Sequence, residues 1–119
     1  MITRNSEMRS EIRQNMRGGD GAVTIEHWFK PDDFGAKLRL CARMTIPPGA
    51  SIGTHVHENE DEIYIVVSGR GLIEENGEWV EIAAGDAILT GHQGSHGVRN
   101  NHDQPLVIAA IICSMHSQP

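Results

Sequence analysis

Residues 49–69 read GASIGTHVHENEDEIYIVVSG, and this stretch decides what fold the chain can adopt. His55 and His57 lie two apart, so on a strand both imidazoles leave one face and Val56 leaves the other. The run 63–67 (IYIVV) is rich in β-formers and reads as the next strand, with Glu62 at its start. Residues 58–61 form a loop short enough to bring that strand back beside the first. If Glu62 faces inward, Tyr64 and Val66 do too, and a carboxylate meets the histidine pair.

Outward from this stretch, short β-rich runs follow at 38–46, 52–57, 63–67, 71–75, 79–82, 87–90, 95–100 and 106–113. Glycine, proline and asparagine turns separate them. Asn76-Gly77 is the strongest, because a type I′ turn needs positive φ at both central residues. No segment of this region sustains a period of about 3.6 residues. Upstream, 22–29 (AVTIEHWF) reads as a strand, 8–13 as either a strand or a short frayed helix, 17–21 (RGGDG) as a flexible turn, and 30–35 as a loop. The expectation is an all-β sandwich or barrel. A chain of 119 residues makes one domain, with residues 1–37 supplying N-terminal strands and turns that pack on a barrel of residues 38–119.

Composition narrows the function classes. Ten Lys and Arg against 16 Asp and Glu leave a net charge of −6, which speaks against nucleic acid or an anionic membrane surface as partner. No apolar run approaches the roughly 20 residues of a membrane helix, and residues 1–17 have charges throughout and no apolar signal core. The expected compartment is the cytoplasm, with Cys41 and Cys113 as small core residues rather than a disulfide framework. The runs 63–67, 87–90 and 106–112 are apolar on both faces, whereas a sandwich strand with one wet face should alternate. A second copy covering the outer face, a homodimer, is the expected reason.

Residues 85–100 carry a further histidine, His96, at the start of a strand that places Val98 and Asn100 on its face. Three imidazoles and a carboxylate would leave about two open positions on an octahedral Mn, Fe, Co or Ni ion. The same four would fill a tetrahedral Zn. The residues carry a family resemblance. Gly49, His55, His57, Glu62 and Gly69 resemble the first cupin motif, G-x5-H-x-H-x4-E-x6-G, without a gap. Gly85, His96 and Asn100 resemble the second, G-x5-P-x-G-x2-H-x3-N, with Gly91 in place of its proline and Gln93 in place of its glycine. The resemblance covers roughly residues 38–113. It implies a small double-stranded β-helix (jelly-roll) barrel, usually dimeric. It also implies one divalent transition metal per chain, with His55, His57, Glu62 and His96 as ligands and Mn or Fe favoured over Ni, Co or Zn.

By the same resemblance the chain is a metal-dependent enzyme acting on a small carboxylate, decarboxylase-like or dioxygenase-like. The alternative is a non-catalytic module that binds or senses a small anionic ligand. A bidentate anion such as oxalate or a 2-oxo acid suits two adjacent open positions and offsets the charge left by the ion and Glu62. Turnover needs a proton donor, for which His92 and Tyr64 are the candidates. Glu58, Glu60 and Asp61 read as a solvated acidic turn. Arg43 and Arg99 are candidates to hold a substrate carboxylate, although strand parity turns Arg99 away from His96. His27 shares the face of Ile25 and Phe29 and reads as a core or interface residue. His102 and His116 carry no assignment.

Overall fold

Valine, isoleucine and threonine recur in the short runs between turns, and these runs pair into ten strands. The computed structural model describes residues 1–115, so His116 lies outside the described residues. The strands are β1 (Arg9–Gln14), β2 (Ala22–His27), β3 (Leu38–Ile46), β4 (Ser51–Val56), β5 (Glu60–Ser68), β6 (Arg70–Glu75), β7 (Glu78–Ala83), β8 (Ala87–Thr90), β9 (Ser95–Arg99) and β10 (Leu106–Ser114). One sheet has the order β1-β2-β3-β10-β5-β8, the other β4-β9-β6-β7, and every neighbouring pair is antiparallel. From β3 to β10 the chain steps repeatedly from one sheet to the other. That is the expected all-β jelly roll, a double-stranded β-helix.

The inner faces meet in a single apolar layer. Met44, Ile46, Val66, Leu106, Ile108 and Ala110 come from the larger sheet, and Ile52, Ile73 and Val98 from the smaller. Each of these side chains except that of Ala110 gains about 1.5–3 kcal/mol over its exposed state. Inward parity also buries Glu62, Tyr64 and Val66 on one face of β5, and His96, Val98 and Asn100 along and just beyond β9. Asn76 and Gly77 both take positive φ, 49° and 92°, and close the β6–β7 hairpin as their turn chemistry requires.

Several local readings change. The undecided segment 8–13 is strand β1, paired along its whole length with β2. The strand expected at 63–67 starts earlier, at Glu60, so Glu62 lies inside it rather than at its start. The turn at 17–21, which its glycines make look flexible, is held. Gly18 N–H and Gly19 N–H donate to Asn15 O and Met16 O at 2.9 Å, Ser51 N–H donates to Asp20 O at 2.9 Å, and Asp20 N–H donates to Ser51 Oγ at 2.8 Å. Cys41 and Cys113 are free and half-buried, not core residues. Ile65, Val67 and Leu89 stand 41%, 53% and 65% exposed on the outer face of the larger sheet. Among the described residues, no helix is long and apolar enough to cross a membrane.

Ile108 is fully buried at the centre of β10, between β3 and β5. Ile108→Ala should cost about 2–5 kcal/mol through lost transfer energy and the cavity left behind. Urea unfolding of the metal-free protein measures this; a loss below about 1 kcal/mol would mean that the core is not organised around β10.

Candidate metal centre

Three strands bring the chemistry together. His55 on β4 is the register partner of His96 on β9, and His57 follows one residue past the end of β4. Glu62 approaches from β5 in the opposite sheet. One ligand atom from each of these four residues lies within 4.8 Å of the others. The expected ligand positions are therefore gathered at one point between the sheets. Glu62 Oε1 lies 2.8 Å from His57 Nε2 and 3.0 Å from His96 Nε2, and the two Nε2 atoms are 2.9 Å apart.

The outer partners of the rings fix their tautomers. His55 Nδ1 is 2.8 Å from Gly53 O, an atom that can only accept, so Nδ1 carries the proton. His57 Nδ1 is 2.9 Å from Glu60 Oε1, again an acceptor. His96 Nδ1 is 3.0 Å from Thr90 Oγ1, whose own proton goes to Glu75 Oε1 at 2.7 Å. Thr90 must therefore accept from His96. In the neutral state all three Nε2 atoms carry lone pairs. With the Glu62 carboxylate, four electron-pair donors face one point. Bare nitrogens at 2.9 Å repel; one proton relieves one pair, whereas a divalent cation relieves them all. This donor set fits a transition metal, and carbonyl, carboxylate and hydroxyl partners behind the rings are what such ligands need for orientation.

The electrostatics follow from burial and partners. Burial lowers the His55 imidazole, against the pull of Gly53 O. The hydrogen bond with Glu62 raises His57 despite burial. Burial works to raise the Glu62 carboxyl, but hydrogen bonds from His57 and His96 outweigh it and hold it below its ordinary range. Tyr64 is buried and stacks on His96, with centroids 4.8 Å apart and planes 19° from parallel. Burial, with the Glu62 carboxylate beside it, pushes its phenol well above the ordinary value, so Tyr64 keeps its proton.

A cavity of about 60 Å³ opens beside the cluster, walled by His55, His57, Glu62 and Tyr64, with Arg13, Arg17 and Arg39 along it. That is far below the several hundred Å³ of a pocket for a drug-sized ligand, so only a small ligand fits. Two larger clefts, of about 620 and 610 Å³, lie away from the cluster and are lined by none of its residues.

The other sequence candidates lie elsewhere. His92 is exposed in the turn after β8, with φ of 55°, and does not line this cavity. There Gly91 and Gln93 replace the proline and glycine of the motif, and Gly94 N–H closes the turn on Gly91 O at 3.0 Å. Arg43 bonds Glu26 at 3.0 Å and lies 6.0 Å from the Trp28 ring centroid, and Arg99 pairs with Asp20 at 3.1 Å. His27 bonds Glu11 at 2.7 Å.

Glu60 corrects the reading of a solvated acidic turn. It holds His57 and is gripped by Arg39 at 2.8 and 2.9 Å, which lowers its carboxyl to about 2. Thr90, Glu75, Arg39 and Arg17 carry no sequence signal of their own. A partner for each imidazole Nδ1 was a predictable need, but its identity depends on which strands pair.

Residues 42–112 match the family described as Cupin domain. The chain is 42% identical over 112 residues to the oxalate-binding protein of Thermotoga maritima, covering 94% of this chain and 93% of that one. It is 30% identical over 95 residues to an uncharacterised protein of Methanocaldococcus jannaschii, covering 80% and 74% of the two chains. A solved Thermotoga maritima structure described as a predicted oxalate decarboxylase matches with a TM-score of 0.93 at 41% identity, covering 97% of this chain and 100% of that one. A polyketide cyclase of Streptomyces resistomycificus matches with a TM-score of 0.77 at 20% identity, covering 100% and 83%, a likeness of fold alone.

Replacing Glu60 tests the ring support. Glu60→Gln should weaken metal affinity by about 10–100-fold in chelator competition. The acid side of the stability profile should change too. The folded chain holds this carboxyl ionised down to about 2 against an ordinary 4.5, so its contribution is full above 4.5 and lost as pH falls towards 2. The metal-free variant should therefore lose less stability than wild type across that window. Equal affinity and equal acid unfolding would show that Glu60 does not orient His57.

Proposed function

The chain belongs to the cupin family, and from that premise we propose that it holds one divalent transition metal and captures a small carboxylate anion on it. The observation that carries the reading is the convergence of His55, His57, His96 and Glu62 on one point, beside a cavity of about 60 Å³ lined by three of them, His55, His57 and Glu62. His55, His57, Glu62 and His96 are the proposed ligands. A bound ion supplies positive charge and, if octahedral, two adjacent positions for the oxygens of a carboxylate. Mn or Fe suits this better than Zn, whose tetrahedral sphere the four donors would fill. The Thermotoga maritima relative described as oxalate-binding supports the ligand class. Tyr64 contributes by keeping a proton on its phenol and steadying Glu62.

Turnover, decarboxylase-like or dioxygenase-like, is the second reading. The complete four-donor set with open positions favours it, as does the likeness to a structure described as a predicted oxalate decarboxylase. It needs a proton donor within reach. Of the two candidates, burial keeps the Tyr64 phenol from giving up its proton and His92 lies outside the cavity wall, so binding is the primary reading.

We further propose a homodimer in the cytoplasm. Support for a second copy is the apolar outer face of Ile63, Ile65, Val67 and Leu89, continued on β10 by Val107 and Ile111. Patches of that kind are rare on monomers. The two free thiols suit a reducing compartment.

Manganese-loaded protein should bind one ion per chain, and its electron paramagnetic resonance spectrum should change on titration with oxalate. The double variant His55→Ala/His57→Ala should lose stoichiometric metal. Stoichiometric metal in that variant, or no spectral change at millimolar oxalate, would overturn the proposal; carbon dioxide or formate release would promote the second reading to first. Light scattering should give about twice the 13.1 kDa chain mass; a mass near one chain at micromolar concentration would remove the dimer.

A further inference from the structure

We propose that Arg17 is the residue that selects a dicarboxylate over a monocarboxylate of the same size at this site. The inference rests on the metal-and-carboxylate reading above and adds the ligand's charge class and the group that recognises it.

Three arginines line the cavity, and two of them bond carboxylates of this chain. Arg39 grips Glu60 with two hydrogen bonds at 2.8 and 2.9 Å. Arg13 donates to Glu11 at 2.8 Å. Arg17 has no hydrogen-bond or ion-pair partner among the described residues, yet it lines the cavity with His55, His57, Glu62 and Tyr64. Its charge also acts on His55 and on Tyr64 from that position. A guanidinium with its fork of donors unused suits a carboxylate, which it can hold bidentately.

Charge counting points to the same ligand class. The pairs Arg39–Glu60 and Arg13–Glu11 cancel internally. A divalent ion with one Glu62 carboxylate leaves a single positive charge, and Arg17 adds another. A dianion balances the two, whereas a 2-oxo acid of one charge leaves one uncompensated. The space beside the cluster, about 60 Å³, admits a molecule of oxalate size and little more.

The backbone delivers Arg17 there at a conformational cost. Asn15 and Arg17 both take left-handed φ, 49° and 54°, and neither is glycine. The turn is locked on β4. A Cβ on Gly53 would run into the Arg17 carbonyl oxygen, and one on Gly19 would run into the Ser51 carbonyl oxygen. Left-handed backbone disfavours a residue with a Cβ. Glycine would take this backbone at lower cost.

The test uses calorimetric titration of the manganese-loaded protein with oxalate and with glyoxylate, in wild type, Arg17→Gln and Arg17→Gly. Wild type should prefer oxalate by about tenfold or more, the scale of one charge-assisted contact. Both variants should lose most of that preference, oxalate affinity falling further than glyoxylate affinity, while metal content stays near wild type. The melting temperature of Arg17→Gly should be no lower than that of wild type, since glycine relieves the left-handed backbone; a purely structural Arg17 would lower it. Variants that keep the oxalate preference would overturn the role of Arg17 and leave the metal-and-carboxylate reading standing. A wild type that binds neither acid would overturn both.

Discussion

Four electron-pair donors held against one another at the centre of the barrel are the constraint on which the structure turns. Each imidazole gives its Nδ1 proton to a group that can only accept there: the Gly53 carbonyl, the Glu60 carboxylate and the Thr90 hydroxyl already spent on Glu75. In the neutral state that leaves the three Nε2 lone pairs and Glu62 converging on one point, where a proton or a cation relieves the repulsion. A buried arrangement of this kind costs free energy unless positive charge sits between the donors. The rest of the fold is built to hold it in place. Of the candidate ligands, His55 and His96 stand on the smaller sheet, His57 one residue past its strand β4 and Glu62 on the larger sheet, and the apolar layer between the sheets sets their separation.

Support for the centre reaches well past the four ligands. Arg39, at the start of β3, fixes Glu60, which fixes His57. Glu75, at the end of β6, fixes Thr90, which fixes His96. The turn around Arg17 is seated on β4 through Gly53, the residue whose carbonyl fixes His55. The N-terminal strands therefore do more than extend the larger sheet: through this turn they close one side of the cavity.

Much of this was legible in the sequence because it depends on short-range geometry. Strand parity places His55 with His57, Glu62 with Tyr64 and Val66, and His96 with Val98 and Asn100, and parity needs no knowledge of the partner strand. Asn76-Gly77 declares its turn through the φ values it permits. Glu60 and Thr90 were not legible, since their roles depend on a turn's side-chain direction and on β5 pairing with β8. Arg17 was hidden for the same reason. A glycine-rich loop reads as flexible until β4, more than thirty residues on, supplies Ser51 and Gly53 to seat it.

X-ray absorption of the manganese-loaded protein measures directly what occupies the point where the donors meet, because imidazole rings leave a distinct multiple-scattering pattern around the ion. Three imidazoles and one protein carboxylate are expected, with the remaining light-atom scatterers exchanged when oxalate is added. A sphere with one imidazole or none would contradict this assignment.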